Sequence, residues 1–133
     1  MTAQILVVED TFINMKLVCM LLEKAGYRVL RADNAKDGIA LAQRHLPDLI
    51  LMDIQLPDMD GLEATRLLKE ADATRHIKVV ALTAFAMKGD EEKMIAAGCD
   101  GYIAKPIQYK NFLGEVEKTL SMNLQKEERH DHT

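Results

Sequence analysis

Five short apolar runs, separated by stretches of helical periodicity, constrain what this chain can fold into more than any other feature. The runs are Ile5-Leu6-Val7-Val8, Arg28-Val29-Leu30, Leu49-Ile50-Leu51-Met52, Lys78-Val79-Val80-Ala81-Leu82 and Gly101-Tyr102-Ile103-Ala104. A strand with one face in water alternates apolar and polar residues, whereas a strand covered on both faces is apolar throughout. The first, third and fourth runs are of the covered kind and are expected at the centre of a sheet. The second and fifth are shorter and more polar, as suits its edges. Between the runs, Leu17, Val18, Leu21, Leu22 and Ala25 repeat at helical spacing ahead of Gly26, and Asn34 caps a stretch that reaches about His45 before Pro47. Gly61 to about Ala71, Lys88 to Ala97 and Tyr109 to about Leu124 supply three more helices. Alternation of this kind predicts an α/β fold, a doubly wound parallel sheet joined by right-handed crossovers.

Composition narrows the function classes. The chain has 133 residues, enough for one ordinary domain, with 48% hydrophobic and 29% charged residues and a formal charge of −4. That charge offers no overall positive field, so a nucleic-acid partner is not expected. Cys19 and Cys99 lack the spacing of a metal or redox pair and read as reduced thiols. No apolar run is long enough to cross a bilayer, and Met1-Thr2-Ala3-Gln4 has no charged leader segment, so no membrane association is expected and the location is read as cytoplasmic. A domain over residues 1–124 and a polar, flexible tail over 125–133 complete the organisation.

Parallel sheets of this class bind ligands at the carboxyl ends of their strands. The residues there are Glu9-Asp10 after the first run, Asp53 after the third, Thr83-Ala84 after the fourth and Lys105-Pro106 after the fifth. Three carboxylates on one rim repel and retain protons unless a cation joins them. A hard divalent ion held by oxygen ligands resolves that conflict, and Mg2+ fits best. With the metal and Lys105 present, one carboxylate can stay ionised and act as a nucleophile toward phosphorus, its charge shared with a hydroxyl, an ammonium and backbone N–H groups.

Val7-Val8-Glu9-Asp10, the segment from Asp48 to Pro57, Asp60-Gly61, Thr83-Ala84 and Lys105-Pro106 together resemble the ordered signature of response-regulator receiver domains of two-component systems. The likeness covers residues 4 to about 124. Asn14-Met15-Lys16-Leu17, Asp53-Ile54-Gln55-Leu56-Pro57 and Ala84 to Glu92 carry a closer likeness to single-domain regulators of cell division. The resemblance implies a CheY-like, flavodoxin-like (βα)5 domain with strand order 2-1-3-4-5. It implies Asp53 as phosphoacceptor, with Asp10, Asp53 and the backbone carbonyl of Gln55 as Mg2+ ligands and Glu9 acting through water. It further implies Thr83, Ala84 and Lys105 around the phosphoryl oxygens, Thr83 and Tyr102 as switch residues, and a cis Lys105-Pro106 bond. A histidine kinase or histidine phosphotransferase would be the phosphodonor, and the domain would catalyse phosphorylation and hydrolysis of its own Asp53 without turning over an external metabolite.

Taken singly, most of these residues have plainer readings: turn carboxylates at Glu9-Asp10, a helix cap at Thr83, a surface lysine at Lys105, an edge-strand aromatic at Tyr102. Asp53 resists that reading because its strand should be central and buried. Two partner surfaces are also expected. Phe12, Met15 and Cys19 follow one another at helical spacing beside Asp10 and suit the phosphodonor. Phe85, Met87 and Tyr102, with the fourth and fifth helices, suit a downstream protein. Competing readings are a receiver module excised from a hybrid kinase, an Mg2+-dependent aspartyl phosphatase and a flavin-binding electron carrier. Gln55 stands where such phosphatases place a second acid, and the glycine-free loop Asp10-Thr11-Phe12-Ile13-Asn14 is a poor cradle for a flavin phosphate.

Overall fold

In the computed structural model, which describes residues 2–84 and 88–131, strands and helices alternate as expected. The order is β1 (Gln4–Val8), α1 (Phe12–Lys24), β2 (Arg28–Ala32), α2 (Ala35–His45), β3 (Leu49–Asp53), α3 (Gly61–Glu70), β4 (Lys78–Thr83), α4 (Lys88–Ala97), β5 (Gly101–Ala104) and α5 (Tyr109–Asp131). The sheet is parallel with order β2-β1-β3-β4-β5. Its central strands bury both faces, because successive side chains point to opposite sides. Ile5, Val7, Leu49, Leu51, Val80 and Leu82 meet Val18 and Leu22 of α1 and Phe112 and Val116 of α5. Leu6, Val8, Ile50, Met52 and Val79 meet Ala35 and Ala42 of α2 and Ala64 and Leu68 of α3. The edges are less covered: β2 exposes Arg28 and Arg31, and β5 is four residues long. No helix among the described residues is long and apolar enough to cross a membrane.

Two expectations need correction. The buried stripe of α1 is Val18, Cys19 and Leu22, whereas Ala25, expected in the core, is exposed. Cys19 therefore does not continue a partner-facing line from Phe12 and Met15: it is 1% exposed. Its thiol instead donates to the Met15 sulfur at 3.6 Å, and Met15 itself packs partly buried against the core. The apolar residues that α1 does present are Phe12, Ile13 and Met20. At the other end of the chain, the α5 backbone runs to Asp131, past Leu124 where the apolar repeat stops.

The amino end of the sheet has its own polar anchor, not anticipated from sequence. Lys69 of α3 donates to the Ile77 carbonyl at 2.8 Å and pairs with Asp100 at 2.9 Å. Asp100 also accepts the Val79 N–H at 2.9 Å, so one carboxylate ties α3, β4 and the turn before β5 together.

Candidate functional site

Strand register assembles the carboxyl edge. Val8 of β1 lies beside Met52 of β3, so the next residues, Glu9 and Asp53, come side by side. Asp53 is in turn level with Leu82, which places Thr83 one residue beyond it. Thr83 pairs with Ala104, and Lys105 follows immediately, its N–H donating to the Thr83 carbonyl at 2.7 Å. The four strand ends thus deliver acids, hydroxyl and ammonium to one place by topology alone.

The carboxylates of Glu9, Asp10 and Asp53 each offer an oxygen within 4.8 Å of the others. Glu9 and Asp53 are buried and Asp10 is exposed, so the cluster opens to solvent on the Asp10 side. The Lys105 ammonium lies 3.1 Å from Glu9 and 3.2 Å from Asp53. Asp53 Oδ1 also accepts the Gln55 N–H at 3.0 Å. Glu9 is fully buried, and among the described residues the ion pair with Lys105 is what supports its charge. Thr83 is buried at the end of β4, and Ala84 beside it is exposed. The Lys105-Pro106 peptide bond is cis.

Titration follows from this crowding. Burial, and then the facing Glu9, push the Asp53 carboxyl up to about 7, and Lys105 only partly offsets them. For Glu9 burial acts upward too, but the contacts with Asp53 and Lys105 outweigh it and hold this carboxyl below its ordinary value. The two acids therefore hold one proton between them up to neutral pH. Burial works against the Lys105 charge, yet Glu9 and Asp53 raise its pKa and keep it an ammonium.

The segment behind Asp53 is tightly constrained. The Ile54 carbonyl accepts the Gly61 N–H at 2.8 Å, and Gln55 and Asp60 form an isolated antiparallel bridge. Asp60 caps α3 by accepting the Leu62 N–H at 2.8 Å, in keeping with the turn-and-start reading of Asp60-Gly61. Gly61 has a further role that sequence did not reveal. A Cβ there would lie 2.0 Å from the Asp53 carbonyl oxygen, so only glycine lets α3 begin this close to the site.

Tyr102 lies on β5, 37% exposed, with its hydroxyl donating to Glu91 of α4. A cavity of about 470 Å3 beside it is lined by Glu91, Ile95, Tyr102, Glu115 and Lys118. The remaining members of the expected downstream surface, Phe85 and Met87, lie outside the described residues. On the other side of the site, Phe12 and Met15 border a smaller cavity of about 380 Å3 with Lys16, Met20 and Arg31.

Comparison with known proteins agrees with this geometry. The family model described as the response regulator receiver domain matches residues 5–117. The polar-differentiation response regulator DivK of Brucella anthropi is 49% identical over 120 residues, covering 90% of this chain and 98% of that protein. DivK of Brucella ovis is 48% identical over the same coverage. Among solved structures, the receiver domain of a sensor histidine kinase from Pseudomonas aeruginosa has a TM-score of 0.84 and 33% identity, over 91% of this chain and 99% of that one. That domain was crystallised with a magnesium ion coordinated in its active-site cleft. A CheY-like receiver from Methanospirillum hungatei has a TM-score of 0.87 and 28% identity, over 95% of this chain and 99% of that one. With the strand order, the acidic cluster and the family match in agreement, the chain belongs to the response regulator receiver domain family.

Proposed function

We propose that this receiver domain accepts a phosphoryl group on Asp53 from a phosphohistidine of a histidine kinase or histidine phosphotransferase, with Mg2+ in the acidic cluster. The observation that carries this reading is the Asp53 carboxylate itself, buried at a central strand end between Glu9 and Lys105. The donor set is all oxygen and strongly anionic, which fits a hard divalent cation. Asp10, Asp53 and the Gln55 carbonyl would hold it, with Glu9 contributing through water. Bound there, Mg2+ would offset the carboxylate charge and favour the ionised form of Asp53. An Asp53 oxygen then forms the new O–P bond as the P–N bond to the donor imidazole breaks. Lys105, the Thr83 hydroxyl and the Ala84 N–H receive the phosphoryl oxygens, and water later attacks the same acyl phosphate to reset the domain.

The phosphodonor would approach over Phe12 and Met15, beside Asp10, in the cytoplasm where such donors act. The downstream protein would bind the face of α4, β5 and α5, where movement of Thr83 toward the phosphoryl group lets Tyr102 change place. The 48–49% identity to DivK supports a switching role of this kind.

The deciding experiment is phosphorylation by acetyl phosphate with Mg2+, read by intact mass. Wild type should gain one phosphoryl group and Asp53→Ala none; uptake that survives the substitution would sink the proposal. A second expectation comes from the Asp53 carboxyl. Because it titrates near 7, Mg2+ must displace a proton below that pH. Affinity for Mg2+ should rise up to roughly tenfold per pH unit below 7 and level off above it. Calorimetry in buffers of different ionisation enthalpy should find proton release at pH 6 that vanishes by pH 9.

A further inference from the structure

The first turn of α2 is capped from two directions. Its own N-cap, Asn34, accepts the Asp37 N–H at 2.8 Å with its side chain and the Gly38 N–H at 3.1 Å with its carbonyl. The N–H groups of Ala35 and Lys36 remain, and a helix usually gives such groups to water. Here both donate to Asp58, one to each carboxylate oxygen, at 2.9 Å. Those bonds, Ala35 first and Lys36 next, hold the Asp58 carboxyl below its ordinary pKa.

Asp58 is remote in the chain. It stands at the tip of the β3–α3 loop, 23 and 22 residues beyond the groups it caps. The base of that loop is Asp53, through the Gln55 N–H, and it is closed by the Ile54–Gly61 hydrogen bond and the Gln55–Asp60 bridge. Leu56 and Met59 fasten its middle to the core. The loop is therefore a short packed lever, with one end on Asp53 and the other on α2. It has little freedom to absorb a change at its base.

We infer that Asp58 is a positioning residue that couples occupancy of the acidic site to the first turn of α2. Loading the site fixes the lever and tightens the turn, and by linkage the tightened turn strengthens loading by the same factor. The inference rests on the reading of Asp10, Asp53 and Gln55 as the site that is loaded.

The test uses the full chain, with Mg2+ alone and with Mg2+ plus beryllium fluoride as the phosphoryl mimic. NMR reads hydrogen exchange at the Ala35 and Lys36 amides and, from the Gln55 amide shift, the Mg2+ dissociation constant. In wild type, exchange at both amides should slow about fivefold on loading, the low end of usual coupling. In Asp58→Ala that response should vanish and the dissociation constant should rise by about the same fivefold. Asp58→Asn, which keeps one acceptor, should fall between and guards against a folding defect. Unchanged affinity in Asp58→Ala would overturn the coupling. If wild type binds no Mg2+ at Gln55, both this inference and the proposed site fall; if it binds and α2 is silent, only the coupling falls.

Discussion

Asp53→Asn should take up no phosphoryl group and, free of metal, should melt above wild type at pH 8. The first half follows from chemistry: an amide is a poor nucleophile toward phosphorus and would leave no acyl phosphate to detect. The second half follows from the proton. In the folded state the Asp53 carboxyl titrates near 7, well above its ordinary 3.8. The fold thus holds this proton more tightly than the unfolded chain does. The contribution to stability is complete below the unfolded value and is lost as pH rises through about 7. Above that pH wild type keeps an ionised Asp53 against ionised Glu9, with Lys105 shared between them. Asparagine removes the repulsion and leaves Lys105 paired with Glu9, a gain on the order of 2 kcal/mol that should shrink toward zero near pH 4. Thermal melts of both proteins in chelator across that range check the sign. Equal melting at pH 8 would mean that Asp53 and Glu9 do not share a proton as described.

Gly61→Ala should be the most damaging alanine substitution among the described glycines. The new carbon would lie 2.0 Å from the Asp53 carbonyl oxygen and 2.8 Å from the Ile54 Cα. Both are backbone atoms, so no side-chain rotation relieves the clash. Either α3 moves away, breaking the Gly61–Ile54 hydrogen bond, or the end of β3 moves and takes Asp53 with it. A loss of roughly 3 kcal/mol is expected, lowering the melting temperature by about 10 °C. Among molecules that remain folded, Mg2+ affinity and phosphoryl uptake should fall at least about tenfold, because the displaced group is the proposed nucleophile. Gly114→Ala is the matched control. It lies in α5 with nothing within 4 Å of the added carbon, and should stabilise by about 0.5–1 kcal/mol. Similar melting for the two variants would contradict the packing at Gly61.

The parts of this molecule that were legible in sequence share a cause. β1, β3 and β4 were readable because burial on two faces leaves no polar positions, and the site was readable because a parallel sheet gathers the residues that follow its strands. On α1 sequence picked out Val18 and Leu22 of the buried stripe but misplaced Ala25 and Cys19, for the opposite reason. Phe12, Ile13, Met15, Leu17, Val18, Cys19, Met20, Leu21 and Leu22 are all apolar, so periodicity cannot choose a stripe. The choice falls to tertiary packing, which put Cys19 inside and left Ile13 and Met20 outside. Asp58 was illegible because its partners are backbone N–H groups far along the chain, and a backbone group has no signature of its own. Gly61 could be read as a helix start, but the closeness of Asp53 depends on how α3 returns to the sheet. Lys69 and Asp100 likewise meet only in three dimensions.

The placement of strands within the sheet also decides how the protein behaves in crowded solution. Ile5 to Val8, Leu49 to Met52 and Val79 to Leu82 are uncharged and rich in β-branched or large aliphatic residues, the composition that stacks into fibrils when exposed. All of them lie in the three interior strands. The two open edges are β2, with exposed Arg28 and Arg31, and β5, too short to template much pairing. Charge at one margin and brevity at the other leave a neighbouring molecule little backbone to add to. Strand-to-strand aggregation should therefore track the population of unfolded chains, and whatever stabilises the fold should also protect against it.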